Sequence, residues 1–227
     1  MLPMRARHEF KHSINYGDYI LLRDRLRHVM QRDAHADANG EYRIRSLYFD
    51  TPQDKALLEK INGVDNRVKY RLRRYIGVPG FIKLEKKSKF HGLGTKESAR
   101  LSEAEVRQIL SGDIAWMKGD PRPLVMELYD KMTLEGFQPK TIVDYIREPF
   151  TCAAGNVRVT LDRDIRTGLF ATDFFNDDLP TVKAGDEMVV LEVKYDQFIP
   201  QHLVGLLQLD SRRTTACSKY ALCRIYG

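Results

Sequence analysis

Arg67-Val68-Lys69-Tyr70-Arg71-Leu72-Arg73-Arg74-Tyr75 reads as a strand with Lys69, Arg71 and Arg73 on one face and Val68, Tyr70 and Leu72 on the other, because successive side chains of an extended chain point to opposite sides. Three like charges on one face repel one another unless an anion neutralises them. The stretch Phe81 to Lys89 repeats the design, with Lys83, Glu85, Lys87 and Lys89 opposite Ile82 and Leu84. Two neighbouring strands with a cationic face and an apolar back predict a surface that receives phosphate.

Working outward, strands are expected near 5–14, 41–50, 67–76, 80–89, 95–102, 138–150, 156–166 and 187–196, most of them alternating and separated by Gly, Asn, Asp or Pro. Helices are expected between them. Tyr19, Leu22, Leu26 and Val29 have helical spacing within 15–31. Thr51-Pro52-Gln53-Asp54 predicts a helix start with Thr51 as N-cap. Ser102 and Glu105 form a capping box for a helix to about 110, and further helices fit 122–135, 200–208 and 218–226. No linker or repeat divides the 227 residues, so a single domain over 1–227 is expected.

The other strands carry charged faces too. Arg7, Glu9 and Lys11 share one, as do Lys96, Ser98 and Arg100, then Arg158, Thr160, Asp162 and Asp164, and finally Glu192 and Lys194, while Arg147 ends Ile142 to Glu148 with Tyr145 and Val143 on its side. Such faces cannot pack dry, because unpaired buried charge is very costly. The expected fold is α+β, an antiparallel β-barrel tunnel with a cationic lumen, covered by surrounding helices. Its lumen would hold about ten Lys and Arg and few acids. A ring of both cation types suits a chain of phosphates. The scarce carboxylates then suit a hard metal ion shared with phosphate oxygens, Glu192 and Glu9 first and Glu85 next.

The formal charge of +6, from 37 bases against 31 acids, is too mild to identify an anionic partner by itself. No apolar run of transmembrane length and no signal peptide is seen. The cysteines Cys152, Cys217 and Cys223 lack metal-ligand spacing and read as free thiols in a reducing cytoplasm. The six histidines, among them His35, form no zinc pattern, and Gly92-Leu93-Gly94-Thr95-Lys96 lacks P-loop spacing, so Gly92 and Gly94 read as a hairpin turn. A nucleic-acid binder should interleave aromatics with its bases; Tyr70 lies opposite Lys69 and Arg71, whereas Tyr75 shares their face. No nucleic acid is expected.

The ordered motifs R-H-E-F-K (7–11), S-L-Y-F-D-T (46–51), K-Y-R-L-R-R-Y (69–75), L-E-K-K (84–87), T-K-E-S-A-R (95–100), R-V-T-L-D (158–162), L-E-V-K-Y (191–195) and S-K-Y (218–220) resemble the VTC domain, the polyphosphate polymerase domain of the triphosphate tunnel (CYTH-like) superfamily. The resemblance implies an enzyme that makes polyphosphate from ATP with a divalent metal, Mn2+ or Mg2+, in an antiparallel tunnel. It implies that Lys11, Arg71, Arg73, Lys87, Lys96, Arg147, Arg158 and Lys219 contact nucleotide or polyphosphate phosphates and that Glu192 binds the metal with Lys194 beside it. Lys69 and Lys83 are expected to add to the phosphate field, and Ser218 to cap the last helix beside Lys219. Hydrolysing members of the superfamily carry E-x-E-x-K on the first strand; Arg7-x-Glu9-x-Lys11 replaces one of those acids, which favours the polymerase branch. The regulatory SPX domain and membrane helices of the fungal subunits have no counterpart in the sequence. The rival expectations are a triphosphatase of the same fold and a non-catalytic polyphosphate binder.

Overall fold

A computed structural model describes residues 8–34, 36–91, 93–185, 187–207 and 217–225. Arg7, His35 and Gly92 lie outside the described residues. The fold is α+β. The chain forms two compact units that interleave along the sequence: Met1–Arg43, Tyr145–Ile165 and Gly185–Ser218 in the first, Ile44–Asp144, Arg166–Ala184 and Lys219–Gly227 in the second.

The first unit contains β1 (His8–Ile14), α1 (Tyr16–Val29), the short β2 (Gln31–Arg32) and α5 (Gln201–Leu207). Its sheet order is β1-β10-β8-β7, where β7 is Gln138–Cys152, β8 is Val157–Thr167 and β10 is Val189–Tyr195. The β1–β10 and β10–β8 pairings are antiparallel. The Asn15 side chain accepts from Asp18 N at 2.8 Å and starts α1. Tyr19, Leu22 and Leu26 are fully buried with Val159, Leu161, Leu191 and Leu203, and each Leu contributes about 1.5–3 kcal/mol by leaving water. Val29, expected on this face, is exposed; α1 stops there, and the extended Met30 turns inward instead.

The second unit contains β3 (Tyr42–Asp50), α2 (Lys55–Ile61), β4 (Arg67–Tyr75), β5 (Ile82–Phe90), β6 (Leu93–Leu101), α3 (Glu103–Ser111), α4 (Pro123–Leu134), the two-residue β9 (Val182–Lys183) and α6 (Lys219–Ile225). Its sheet order is β7-β3-β4-β5-β6. Leu47, Phe49, Tyr70, Leu72, Leu84 and Leu101 pack against Val106, Ile109, Val125 and Leu128 of α3 and α4. The Ser102–Glu105 capping box forms as expected. The helix expected to start at Thr51 does not: 51–54 is a turn and α2 begins at Lys55. Instead the Asp50 carboxylate takes the backbone N–H groups of Thr51 (2.8 Å), Ala56 (2.8 Å) and Leu57 (3.1 Å), and the Thr51 hydroxyl accepts from Lys55 N at 3.2 Å, so both serve a helix that begins later than the sequence signal placed it. Gly94, expected in a turn, lies inside β6 opposite Lys89.

Candidate functional site

Register gathers the cationic residues of the second unit on one face. Lys69 pairs with Lys87, Arg71 with Glu85 and Arg73 with Lys83 across β4 and β5, and Lys83, Glu85 and Lys87 pair with Arg100, Ser98 and Lys96 across β5 and β6. With Lys89, eight cations share that face with one carboxylate. Glu85 is 2% exposed and stands at the centre. Its Oε2 accepts from Arg71 Nε (2.9 Å) and Nη2 (2.7 Å), its Oε1 accepts from Lys96 Nζ (2.7 Å), and Arg73 Nη2 forms an ion pair with Oε1 at 2.9 Å. Burial works against its charge, but Arg71, Arg73 and Lys96 outweigh burial and hold its pKa down to about 2. Both oxygens are occupied by cations, which suits an orienting role better than metal ligation. Arg71 is further fixed by donating to the Tyr48 hydroxyl at 3.0 Å. The buried Nε of Arg73 and the buried hydroxyl of Ser46, its partner on β3, make no hydrogen bond within the described protein. Buried donors of this kind require an explanation, and an anion on this face would accept from them.

Lys69 occupies the other end of the β4 row. Its ammonium lies 5.4 Å from the centre of the Tyr220 ring. Burial lowers its pKa most, and Lys60, Arg67 and Lys87 lower it further, to about 7, with Asp50 opposing. Tyr220 is buried in α6, stacked on Tyr48 at 4.9 Å, and donates its hydroxyl to Asp50 Oδ2 at 2.5 Å. Burial and the Asp50 contact raise its pKa. Lys219 is the first residue of α6, and Ser218 directly precedes that helix.

The first unit has its own polar face. Lys11 pairs with Glu192 and Glu9 with Lys194 across β1 and β10, and Glu192 and Lys194 pair with Thr160 and Arg158 across β10 and β8. Glu192, 5% exposed, accepts from Lys194 Nζ at 2.6 Å and lies 3.8 Å from Lys11 Nζ and 3.6 Å from Arg147 Nη2. Burial raises its pKa, but Lys194, Lys11 and Arg147 outweigh burial and keep it well below the usual carboxylate range. Arg147 grips buried Asp162 through two hydrogen bonds of 2.6 and 2.7 Å and lies over the Tyr145 ring, so its alternation with Tyr145 holds. Lys11 also contacts Glu9. Arg158 reaches Asp33 at 3.1 Å, while its buried Nε and the buried Thr160 hydroxyl make no hydrogen bond within the described protein. Lys11, Lys194 and Arg147 here meet Glu9, Glu192 and Asp162, so charge is balanced where the second unit has bases in large excess.

The carboxylates of this face bear on whether a metal fits. Among the described residues no three His, Cys, Asp or Glu side chains converge as a ligand group. A closed all-protein site is therefore not supplied by them. Of the carboxylates on this face, Glu192, whose Oε2 is 3.6 Å from Arg147 Nη2, and Glu9 are the ones that would be left to a hard divalent ion taking its remaining ligands from phosphate and water.

Sequence reading did not find the cluster on the other side of β7. Glu148, 1% exposed, accepts from the Tyr19 hydroxyl and lies 3.4 Å from Arg23 Nε, 3.6 Å from Arg27 Nη2 and 3.6 Å from Arg163 Nε. Its signal was positional: one residue after Arg147, it must face the apolar side, where only a paired acid is tolerated.

Solved structures with this fold include two with TM-scores above 0.5. A protein of Bacillus halodurans provisionally described as an adenylate cyclase aligns with a TM-score of 0.54 and 13% identity over 89% of this chain and 88% of its own. An adenylyl cyclase candidate from Hippeastrum, for which a dominant triphosphatase activity is described, aligns with a TM-score of 0.56 and 15% identity over 95% of this chain and 93% of its own. Among curated proteins, none matches the sequence at a significant level. At these identities the structural likeness shows the fold alone, that of the triphosphate tunnel proteins, whereas a family match that runs over residues 6–225 shows more: the chain belongs to the VTC domain family.

Proposed function

We propose that this protein is a metal-dependent polyphosphate polymerase that transfers the γ-phosphoryl group of ATP to the end of a growing polyphosphate chain. The observation that carries the reading is the β4–β5–β6 face, eight cations about a single buried carboxylate. One carboxylate cannot neutralise that field, and a phosphate chain can. The family assignment supports the same direction.

The chemistry asks little of the protein beyond position and charge. A terminal oxygen of the acceptor chain attacks the γ-phosphorus, the bond from the γ-phosphorus to the β,γ-bridging oxygen breaks, and ADP leaves with the electron pair. Arg71, Arg73, Lys87 and Lys96 bind the triphosphate and stabilise charge that moves onto the leaving oxygen, with Lys219 assigned to the growing chain. Glu85 holds Arg71, Arg73 and Lys96 in place before substrate arrives, so little reorganisation remains at the transition state. Lys69 and Lys83 extend the field along the strands. In the first unit Glu192, assisted by Glu9, is assigned to the metal, and Lys11, Lys194, Arg147 and Arg158 to phosphate. The metal, Mn2+ or Mg2+, would supply charge neutralisation on phosphate oxygens. No protein nucleophile is required.

Incubation with ATP and Mn2+, followed by gel staining for polymer, tests the proposal. Long polyphosphate is expected from the wild type, and none from folded Arg71→Ala or Glu192→Ala. Full synthesis by Glu192→Ala would remove the metal assignment. Release of phosphate without polymer would favour a triphosphatase, a second reading supported by the activity described for the Hippeastrum protein of the same fold. No described helix is long and apolar enough to cross a membrane, so the proposal invokes no spanning segment.

A further inference from the structure

The cationic face of β4 and β5 ends in two aromatic rings. Tyr75 follows Arg73 by two residues and Phe81 precedes Lys83 by two, and Arg73 and Lys83 are cross-strand partners. Tyr75 and Phe81 therefore lie side by side on the phosphate-binding face, ~6.8 Å beyond the Arg73–Lys83 row. The turn between the strands makes this possible, with Gly77 and Gly80 at φ of 83° and 71°, where a side chain would be strained. The ring centres are 5.3 Å apart at 42°. Cations sit against both rings: Arg73 5.7 Å from the Tyr75 centre, Lys83 4.7 Å and Arg100 5.9 Å from that of Phe81. Both aromatic residues remain partly exposed.

The geometry points to Tyr75 and Phe81 as a stacking platform for the base of a nucleoside triphosphate whose phosphates run from Arg73 toward Lys69. This rests on the phosphate-binding reading above and orients the ligand on it. A ligand that matches this face is a polyanion with a flat ring at one end, which describes a nucleoside triphosphate and not inorganic phosphate. Lys83 and Arg100, held against Phe81, stand where the first phosphate joins the nucleoside. The opposite end, four residues along the strand at Lys69 with Lys219 assigned beyond, is past the reach of a nucleoside triphosphate anchored at Tyr75 and Phe81 and is left for the growing chain. Stacking uses the π-face that every base has, so the platform recognises a nucleoside without choosing its base.

The test measures calorimetric binding of ATP, GTP and inorganic tripolyphosphate to the full chain at one salt concentration. Phe81→Ala and Tyr75→Ala are expected to weaken ATP and GTP alike by about tenfold or more, and to leave tripolyphosphate within about twofold, since no phosphate contact is removed. Phe81→Leu, which keeps apolar bulk without the π-face, should behave as Phe81→Ala, and Phe81→Trp should retain ATP. Equal weakening of tripolyphosphate in folded variants would mean that the rings only support Lys83 and Arg100, and unchanged ATP binding would place the base elsewhere; either result overturns the platform. Failure of the polymerase reading shows itself differently, as ATP binding that obeys these expectations without polymer formation.

Discussion

Lys69 illustrates how a single residue on this face acquires a property that its sequence position does not announce. Alternation places it on the cationic face, but its burial beside Tyr220, with Lys60, Arg67 and Lys87 around it, brings its pKa down to about 7. The ammonium and the neutral amine are then both available near neutral pH. A bound polyphosphate favours the ammonium and raises the pKa of the complex above that of the free protein. The Lys69 contribution to binding is therefore complete below pH 7, and falls as pH rises from the free value of about 7 to the higher value in the complex. Tripolyphosphate affinity should drop by up to about tenfold per pH unit above 7. Lys69→Met should be weaker at pH 6.5 and nearly flat across the same range once ligand titration is subtracted. Calorimetry in two buffers of different ionisation heat counts the protons taken up. A wild-type slope that survives in Lys69→Met would assign the titration to another group.

At the scale of elements, Asp50 ties three pieces of the second unit together. The last residue of β3 caps α2 through Ala56 and Leu57 and receives the hydroxyl of Tyr220 from α6. Removing it leaves buried donors without acceptors and loses a helix cap, so Asp50→Ala is expected to cost about 3 kcal/mol or more. Asp50→Asn keeps one acceptor oxygen and should cost about half of that. Urea unfolding reads both, and a loss below about 1 kcal/mol for the alanine variant would show that water replaces the carboxylate without penalty. The late start of α2 involves the same carboxylate. Thr51 followed by Pro52 carries a helix-start signal, but the Thr51 hydroxyl accepts from Lys55 N and Asp50 takes the N–H groups of Ala56 and Leu57, so the capped turn is the one that begins at Lys55. The strands were legible because period-two alternation is a direct consequence of backbone geometry. β2 and β9, two residues each, carry no such period. Arg71, Arg73, Lys96 and Glu192 could be placed on polar faces by the same parity, whereas the convergence of three cations on Glu85 depends on register across three strands, which no single strand encodes.

For the whole molecule, the formal charge of +6 hides an uneven distribution, with balanced ion pairs on the polar face of the first unit and eight bases against one acid across β4, β5 and β6 of the second. The like charges of the second unit repel in the free protein, and this cost is recovered when a polyanion binds. A ligand that binds the folded chain only adds RT ln(1 + [L]/Kd), about 2.7 kcal/mol at a hundredfold excess over Kd. For a chain of this length that corresponds to an apparent melting shift of about 5–11 °C. Tripolyphosphate is therefore expected to raise the melting temperature by that amount, while sodium chloride at equal ionic strength, which only screens, raises it by much less. The double variant Arg71→Ala/Arg73→Ala should lose most of the tripolyphosphate shift and start from a different baseline, because Glu85 keeps only Lys96 among its three cationic partners. Scanning fluorimetry across a tripolyphosphate titration measures all of these. An equal shift in the double variant would locate the phosphate field on the first unit, where Lys11, Lys194, Arg147 and Arg158 would then have to supply it against their own carboxylates.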